Sequence, residues 1–244
     1  MTYCLAMRLQ EGLVLLSDTR TSAGIDNVGT YRKLHTFALD PQRTIVIQSA
    51  GNLATTQELL DRIRRDLRSP GRDGSLASVD YLFEAALYIG RLSRTIVAEH
   101  QAAMVGVDVT ATLIVGGQIA DEPPEILLVY PQGNYIRASD ELPFLQIGEA
   151  KYGKFLLEMA VRFNVSAETA IKIALGSMMS TARANLSVGP PYDLAIYRND
   201  SFQTQEFRIE ADSRILAELQ ATWERRLRES FAELPSFDLE GLST

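Results

Sequence analysis

From Tyr3 to Leu9, and again from Leu13 to Ser17, the chain is dense in apolar and β-forming residues. Gln10-Glu11-Gly12 between them reads as a tight turn, so the pattern predicts a hairpin. A second pair follows, Tyr31 to Leu39 and Thr44 to Ser49, joined by Asp40-Pro41-Gln42-Arg43. Between the pairs, Thr21 to Gly29 is polar and contains glycine, which predicts a loop or a short irregular strand. The period then changes. Leu53, Leu59, Leu60, Ile63 and Leu67 recur at helical spacing until Ser69-Pro70-Gly71, and Tyr81 to Val97 forms a second helical run. Strands return at Ala111 to Val115, Glu125 to Tyr130 and Tyr135 to Ala138, broken by Gly116-Gly117, Pro123-Pro124 and Gln132-Gly133-Asn134. Helices are expected from Lys151 to Phe163 and from Ser166 to Ala184, with Ser166 as N-cap. Strands at Tyr192 to Arg198 and Gln203 to Ile209 precede a charged amphipathic helix from Asp212 to Phe231.

Blocks of strands alternating with pairs of helices do not fit a parallel βαβ sheet, which places one helix between successive strands. Two sheets face to face, each covered outside by helices, would bury every apolar face in this pattern. The expected class is α+β, with residues 1–244 as one domain and a tail from Leu234 to Thr244 that frays.

Composition narrows the chemistry. With Lys plus Arg at 24 against 31 for Asp plus Glu, the net charge of −7 argues against a nucleic-acid or anionic-membrane partner. The one cysteine, Cys4, permits no internal disulfide and no multi-Cys metal site, and it reads as a small apolar residue of a buried strand. The first residues meet Arg8 before an adequate apolar run develops, which is unlike a secretory leader, and no stretch is long enough to span a bilayer. The cytoplasm is the expected location.

Two histidines and no G-x-S-x-G turn leave a Ser-His-Asp plan or a His-rich metal centre without support. Val115-Gly116-Gly117-Gln118 lacks the Lys-Ser/Thr of a phosphate-binding P-loop. His35 reads as a satisfied, half-buried strand residue, and His100 as a solvent-facing residue near a helix end. No cofactor is expected.

What remains is Thr2. If Met1 is trimmed, Thr2 carries both a nucleophilic hydroxyl and an α-amine with a pKa near 8, about right to accept the hydroxyl proton at neutral pH. A Met-Thr start by itself is common and says little. Its setting says more. If the first two strands pair as a hairpin, Asp18 in Ser17-Asp18-Thr19-Arg20 returns to the end where Thr2 lies. Lys33, in Tyr31-Arg32-Lys33, would favour the deprotonated Thr hydroxyl, and Asp18 would keep Lys33 charged and oriented. Ser49-Ala50-Gly51, where a strand passes into a helix, offers the Gly51 N–H to an oxyanion. The plainer alternatives are solvated strand-end charges and a simple strand-to-helix turn.

These segments resemble, in order and spacing, those of proteasome β subunits and of their bacterial relative HslV. More closely still, they resemble the bacterial proteasome-homologous Anbu family. The blocks are Thr2-Tyr3-Cys4, Ala23-Gly24-Ile25-Asp26-Asn27, Tyr31-Arg32-Lys33-Leu34, Ser49-Ala50-Gly51-Asn52-Leu53, Ile147-Gly148-Glu149 with Lys151-Tyr152-Gly153-Lys154, and Asn185-Leu186-Ser187-Val188-Gly189-Pro190-Pro191. The resemblance implies a four-layer αββα sandwich of the N-terminal-nucleophile hydrolase type. It also implies Thr2 as nucleophile, Asp18 and Lys33 as its flanking pair, and Gly51 as oxyanion donor, with Arg20 in the second shell. Identical subunits would associate into a ring or open spiral, and the substrate would be a peptide or related amide. Whether an ATP-driven unfoldase docks is left open.

Two departures stand out. Glu149 occupies a position where the β-subunit pattern has Ser, and Arg183-Ala184-Asn185-Leu186-Ser187-Val188-Gly189 replaces an Asp-x-x-Ser-Gly element. Asn185 and Ser187 are candidates to hold the amine of Thr2 in an ambiguous register, and Glu149 is a candidate to alter its basicity. The expected function is a threonine-type hydrolase of peptide or related amide bonds, with a catalytically silent structural subunit and a narrow-specificity amidase as the alternatives.

Overall fold

The structure is a computed structural model that describes residues 2–22, 28–69, 74–103 and 106–236. Met1, the Ala23–Asn27 block, Pro70 and Gly71 of the expected helix stop, and residues 237–244 of the tail lie outside the described residues.

Residues 1–210 form one compact unit and residues 211–244 a second. The first begins with β1 (Tyr3–Leu9) and β2 (Gly12–Asp18), paired antiparallel with Cys4 opposite Ser17, the hairpin that the apolar pattern predicts. Nearly every residue of both strands is buried, because one face meets helices and the other meets a second sheet. The polar stretch that follows contains the short pair β3 (Arg20–Ser22) and β4 (Val28–Thr30). Next come β5 (Leu34–Asp40), β6 (Arg43–Gly51), α1 (Leu53–Arg68) and α2 (Leu82–Ala103). Then follow β7 (Ala111–Ile119), β8 (Glu125–Val129), β9 (Tyr135–Arg137), β10 (Phe144–Gly148), α3 (Ala150–Ala160), α4 (Ala167–Ala184), β11 (Tyr192–Arg198) and β12 (Thr204–Ile209).

The strands form two five-stranded sheets, β10-β1-β2-β11-β12 and β5-β6-β7-β8-β9. Helices α3 and α4 cover the first, and α1 and α2 cover the second. Cys4, Ala6, Leu15, Val46, Ile114 and Ile147 belong to the core between the sheets. Ile45, Ile47, Leu113 and Val115, on the opposite face of the second sheet, pack with Leu59, Ile63, Ala85 and Ile89 of α1 and α2. Alternate residues of β6 thus serve two different cores, as the period of a strand requires. The architecture is a four-layer αββα sandwich.

Two elements differ from the sequence reading. β7 runs through Gly116-Gly117 to Ile119 instead of stopping at Val115. At Gly117 (φ +152°) an added Cβ would overlap the Thr44 carbonyl, and at Gly116 it would press on Ile126 and Leu15, so these glycines allow close approach inside the sheet. β10, only five residues long, was not anticipated, and it is the strand that places Gly148 beside Thr2. The second helix, expected to end at Val97, runs six residues further to Ala103, and the other ends agree within about three residues. Ser166 caps α4 by accepting the Thr169 N–H (3.2 Å).

The second unit is described through α5 (Arg214–Ala232), which is capped by Ser213. Trp223, Leu227 and Phe231, four residues apart, form an exposed apolar row along it.

Candidate active site

β1 ends the first sheet's inner rows at Thr2, which lies between strand and terminus and is half-buried. The β1–β2 hairpin returns Asp18 to this end, where Asp18 Oδ1 accepts the Tyr3 backbone N–H at 3.0 Å. Lys33, in the segment leading into β5, donates its Nζ to the same Oδ1 at 2.7 Å and to the Arg20 carbonyl at 2.6 Å. Asp18 is 0% and Lys33 5% exposed, so the pair is desolvated together. Burial pushes the Asp18 carboxyl above its ordinary value, against the opposing pull of Lys33 and then of the Tyr3 and Gly189 N–H groups. Asp18 accepts from the Tyr3 N–H, Lys33 Nζ and the Gly189 N–H, an arrangement that suits an ionised carboxylate.

The Gly51 N–H can be placed from the ladder. The Ser49 N–H donates to the Lys33 carbonyl at 3.0 Å, on the β5 side of β6. Two residues further along a strand the N–H points the same way. β5 begins only at Leu34, so the Gly51 N–H projects past its start, beside Lys33. On the other side, Asn52 N–H donates to the Thr110 carbonyl at 2.9 Å, which makes Gly51 and Ala111 a non-hydrogen-bonded pair and confirms that direction. Gly51 holds φ +121°, and an added Cβ would overlap the Thr110 carbonyl. Asn52 then caps α1 by accepting the Thr55 N–H (3.2 Å), and the positive end of that helix adjoins Gly51.

Thr2, Lys33, Gly51 and Glu149 all open on one cavity of about 990 Å³. Tyr31 and His35 also line it, as do Leu53, Leu60 and Arg64 of α1. At Gly148 (φ +83°) the backbone passes so close to the Thr2 carbonyl that a Cβ would overlap it, and the neighbouring Glu149 N–H donates to that carbonyl at 2.8 Å. The structure therefore brings Thr2, Asp18, Lys33, Gly51 and Glu149 together.

Arg20, Asn185 and Ser187 are placed differently. Arg20 donates to the Leu186 carbonyl (2.9 Å) and supplies its own carbonyl to Lys33. Asn185 Oδ1 accepts the Ser187 N–H at 3.0 Å, bracing the loop that delivers Gly189 to Asp18. Among the described residues that line the cavity, none of these three occurs.

His35, read from sequence as a satisfied strand residue, does donate Nε2–H to the Arg32 carbonyl (3.1 Å), yet it also lines the cavity. Burial, with the positive charge of Arg64 added, lowers its pKa to about 4. His100, expected to face solvent, is instead held between α1 and α2. Its Nδ1 meets Thr55 Oγ1 at 3.0 Å and its Nε2 meets Glu58 Oε2 at 2.8 Å. Cys4 is fully buried, and burial pushes its thiol up, away from the reactive thiolate form. Behind Thr2, Tyr3 Oη bonds Ser177 Oγ (2.7 Å) and receives the Gln146 amide, and burial raises its pKa to about 12. Among the described residues no group of His, Cys, Asp or Glu converges as a metal site requires, and no helix is long and apolar enough to cross a membrane.

A four-layer sandwich with a Thr, Lys and Asp cluster at the end of its inner faces defines a proteasome-like subunit, and residues 2–196 match the proteasome subunit family, to which this chain belongs. Comparison with curated proteins finds no match. Among solved structures, the chain is similar to Anbu from Yersinia bercovieri, described as an ancestral beta-subunit. That pair is 41% identical, with 98% of this chain and 100% of the other covered and a TM-score of 0.91. The Anbu complex from Pseudomonas aeruginosa, solved as a helical assembly, is 38% identical over 98% and 99% of the two chains, with a TM-score of 0.93. Anbu from Hyphomicrobium sp. strain MC1 is 39% identical over 98% and 100%, with a TM-score of 0.88.

Proposed function

We propose that this chain is a threonine-type hydrolase of peptide or related amide bonds, with Thr2 as nucleophile after cleavage of the Met1–Thr2 bond. The observation that carries the reading is the cluster itself: Thr2 shares one cavity with the Gly51 N–H and with a lysine that a buried Asp18 holds at 2.7 Å.

In this mechanism Thr2 Oγ attacks the substrate carbonyl carbon while its proton passes to the Thr2 α-amine. The positive charge of Lys33, kept in place by Asp18 and the Arg20 carbonyl, favours the developing alkoxide. The Gly51 N–H receives the oxyanion of the tetrahedral intermediate. Collapse breaks the C–N bond, and the ammonium returns its proton to the leaving amine, leaving an ester on Thr2. Water then attacks that ester with the amine again as base, which releases the acid and restores the hydroxyl.

The subunit self-associates into a ring or open spiral in this proposal, supported by the helical assembly of a 38% identical relative. On the sequence grounds given above, the reaction is assigned to the cytoplasm. The test is intact mass before and after a peptide epoxyketone, a reagent that needs both a Thr Oγ and its own free α-amine. Loss of Met1 plus one covalent adduct is expected, with no adduct and no turnover for Thr2→Ala. Turnover retained by Thr2→Ala, or Met1 retained in protein purified from its native cell, would overturn the assignment and leave a structural subunit.

A further inference from the structure

β1 and β10 run antiparallel with Tyr3 opposite Gly148, and the hydrogen bond from Glu149 N–H to the Thr2 carbonyl extends this ladder by one step. Thr2 therefore stands directly opposite Glu149. Residues facing each other across an antiparallel pair project to the same side of the sheet, with Cβ atoms about 5 Å apart. The preceding members of the two rows, Cys4 with Ala6 and Ile147 with Leu145, lie in the core between the sheets. Thr2 and Glu149 lie just past the ends of those rows, Glu149 beyond the left-handed Gly148 (φ +83°), and both open on the cavity. Glu149 also occupies the N-cap position of α3, but its side chain makes no capping hydrogen bond there. The carboxylate is thus not committed to the helix it begins.

We propose that Glu149 is a positioning residue for the α-amine of Thr2, accepting a hydrogen bond from that amine once the Met1–Thr2 bond is cut. This rests on the reading of Thr2 as nucleophile. Before cleavage the Thr2 nitrogen is an uncharged amide. Cleavage turns it into an ammonium one cross-strand step from an anion.

The other charged groups around the cavity are compensated by one another. Asp18 and Lys33 pair at 2.7 Å, Arg32 lies 3.3 Å from Glu206 of β12, and Arg64 lies 3.1 Å from Asp61 of α1. His35 on β5 stays neutral until the pH nears 4. Among the described residues none of these ion pairs includes Glu149, so its charge is available to the new ammonium. A carboxylate at this range favours the charged amine and raises its pKa above the usual value of about 8. The amine must be neutral to take the Thr2 Oγ proton. Glu149 therefore orients the base and, at the same time, moves the acid limb of the reaction to higher pH.

The test uses full-length protein whose loss of Met1 has been checked by mass, as wild type and as Glu149→Gln, Glu149→Ser and Glu149→Asp. The rate of adduct formation with a peptide epoxyketone is followed from about pH 5 to 10, a span that brackets the amine. Removal of the charge in Glu149→Gln and Glu149→Ser is expected to lower the midpoint of the acid limb by about one pH unit in both, while Glu149→Asp stays close to wild type. A merely structural role would lower rates without moving that midpoint. An unmoved midpoint in both charge-free variants, with adduct still forming, overturns the role of Glu149 and leaves the nucleophile standing. Absence of adduct at every pH in wild type lacking Met1 overturns both.

Discussion

Lys33→Met removes the ammonium while keeping most of the stem that fills a site only 5% exposed. It leaves Asp18, fully buried, with the Tyr3 N–H at 3.0 Å and the more distant Gly189 N–H at 3.4 Å. Lys33 is the strongest influence pulling the Asp18 carboxyl down against burial, so its loss lets that carboxyl rise further. Stranding one member of a buried ion pair costs about 3–5 kcal/mol. At roughly 2–4 °C per kcal/mol for a chain of this length, the melting temperature should fall by roughly 6–20 °C. Because the folded-state pKa of Asp18 lies above the unfolded value of about 3.9, the penalty is absent below about pH 4 and grows as the pH rises through the folded-state value. The deficit of Lys33→Met should therefore be largest near pH 8 and shrink toward pH 5. Adding Asp18→Asn removes the stranded charge and should recover most of the loss, since an amide oxygen still accepts the Tyr3 N–H. The assay is urea unfolding of wild type, both single variants and the double variant, at equal protein concentration and at both pH values. A coupling below about 1 kcal/mol, or a deficit that does not change with pH, would refute the reasoning.

Gly51→Ala forces the backbone away from the Thr110 carbonyl and re-aims the N–H beside Lys33. Turnover should drop about 10²–10³-fold, the usual cost of losing an oxyanion donor. Gly176→Ala, in α4 with open space around the added methyl, is the control and should unfold no more easily than wild type. His35 has a folded-state pKa of about 4, below the unfolded 6.5, so stability present above pH 6.5 is lost as the pH falls toward 4, by up to roughly 1.4 kcal/mol per pH unit. His35→Gln should flatten that span of a urea-midpoint profile, and equal slopes in the two proteins would contradict the assignment.

The parts of the fold that were legible in the sequence are those where a local signal and burial agree. The β1–β2 hairpin and α1 were plain because apolar periodicity and turn residues coincide, and Ser166 announced the start of α4. β10 was missed because five residues after Pro143 give too short a pattern to separate from loop. The Gly116-Gly117 break was misread because glycine signals a turn in isolation but close packing when two sheets press on it. At the site, the return of Asp18 to the Thr2 end and its pairing with Lys33 could be read from the hairpin, but the other bonds that hold the pair could not. The Asp18 bond to the Tyr3 N–H depends on hairpin register. The lowered pKa of His35 depends in part on Arg64, which comes from a separate helix. Asn185 could not be told from an amine ligand because its bond to the Ser187 N–H is set by loop geometry that the sequence leaves free.

The carboxylate of Asp18 gathers groups from residues 3, 33 and 189, the last 171 positions downstream. Thr19 Oγ1 likewise donates to the Pro191 carbonyl, and Arg20 to that of Leu186. In the sheet, β2 lies between β1 and β11, so the strand that seals its second edge comes after about nine-tenths of the unit has been made. A chain emerging in order can form its first hairpin early. It cannot bury Asp18 until the 185–198 segment arrives, and contacts of such long separation form slowly. Until then the lysine and aspartate stay open to water, and a half-made subunit does not yet have the desolvated ion pair on which, in the proposed mechanism, attack by Thr2 depends. In that mechanism completion of the fold acts as a timer on the chemistry, set by the order of the strands.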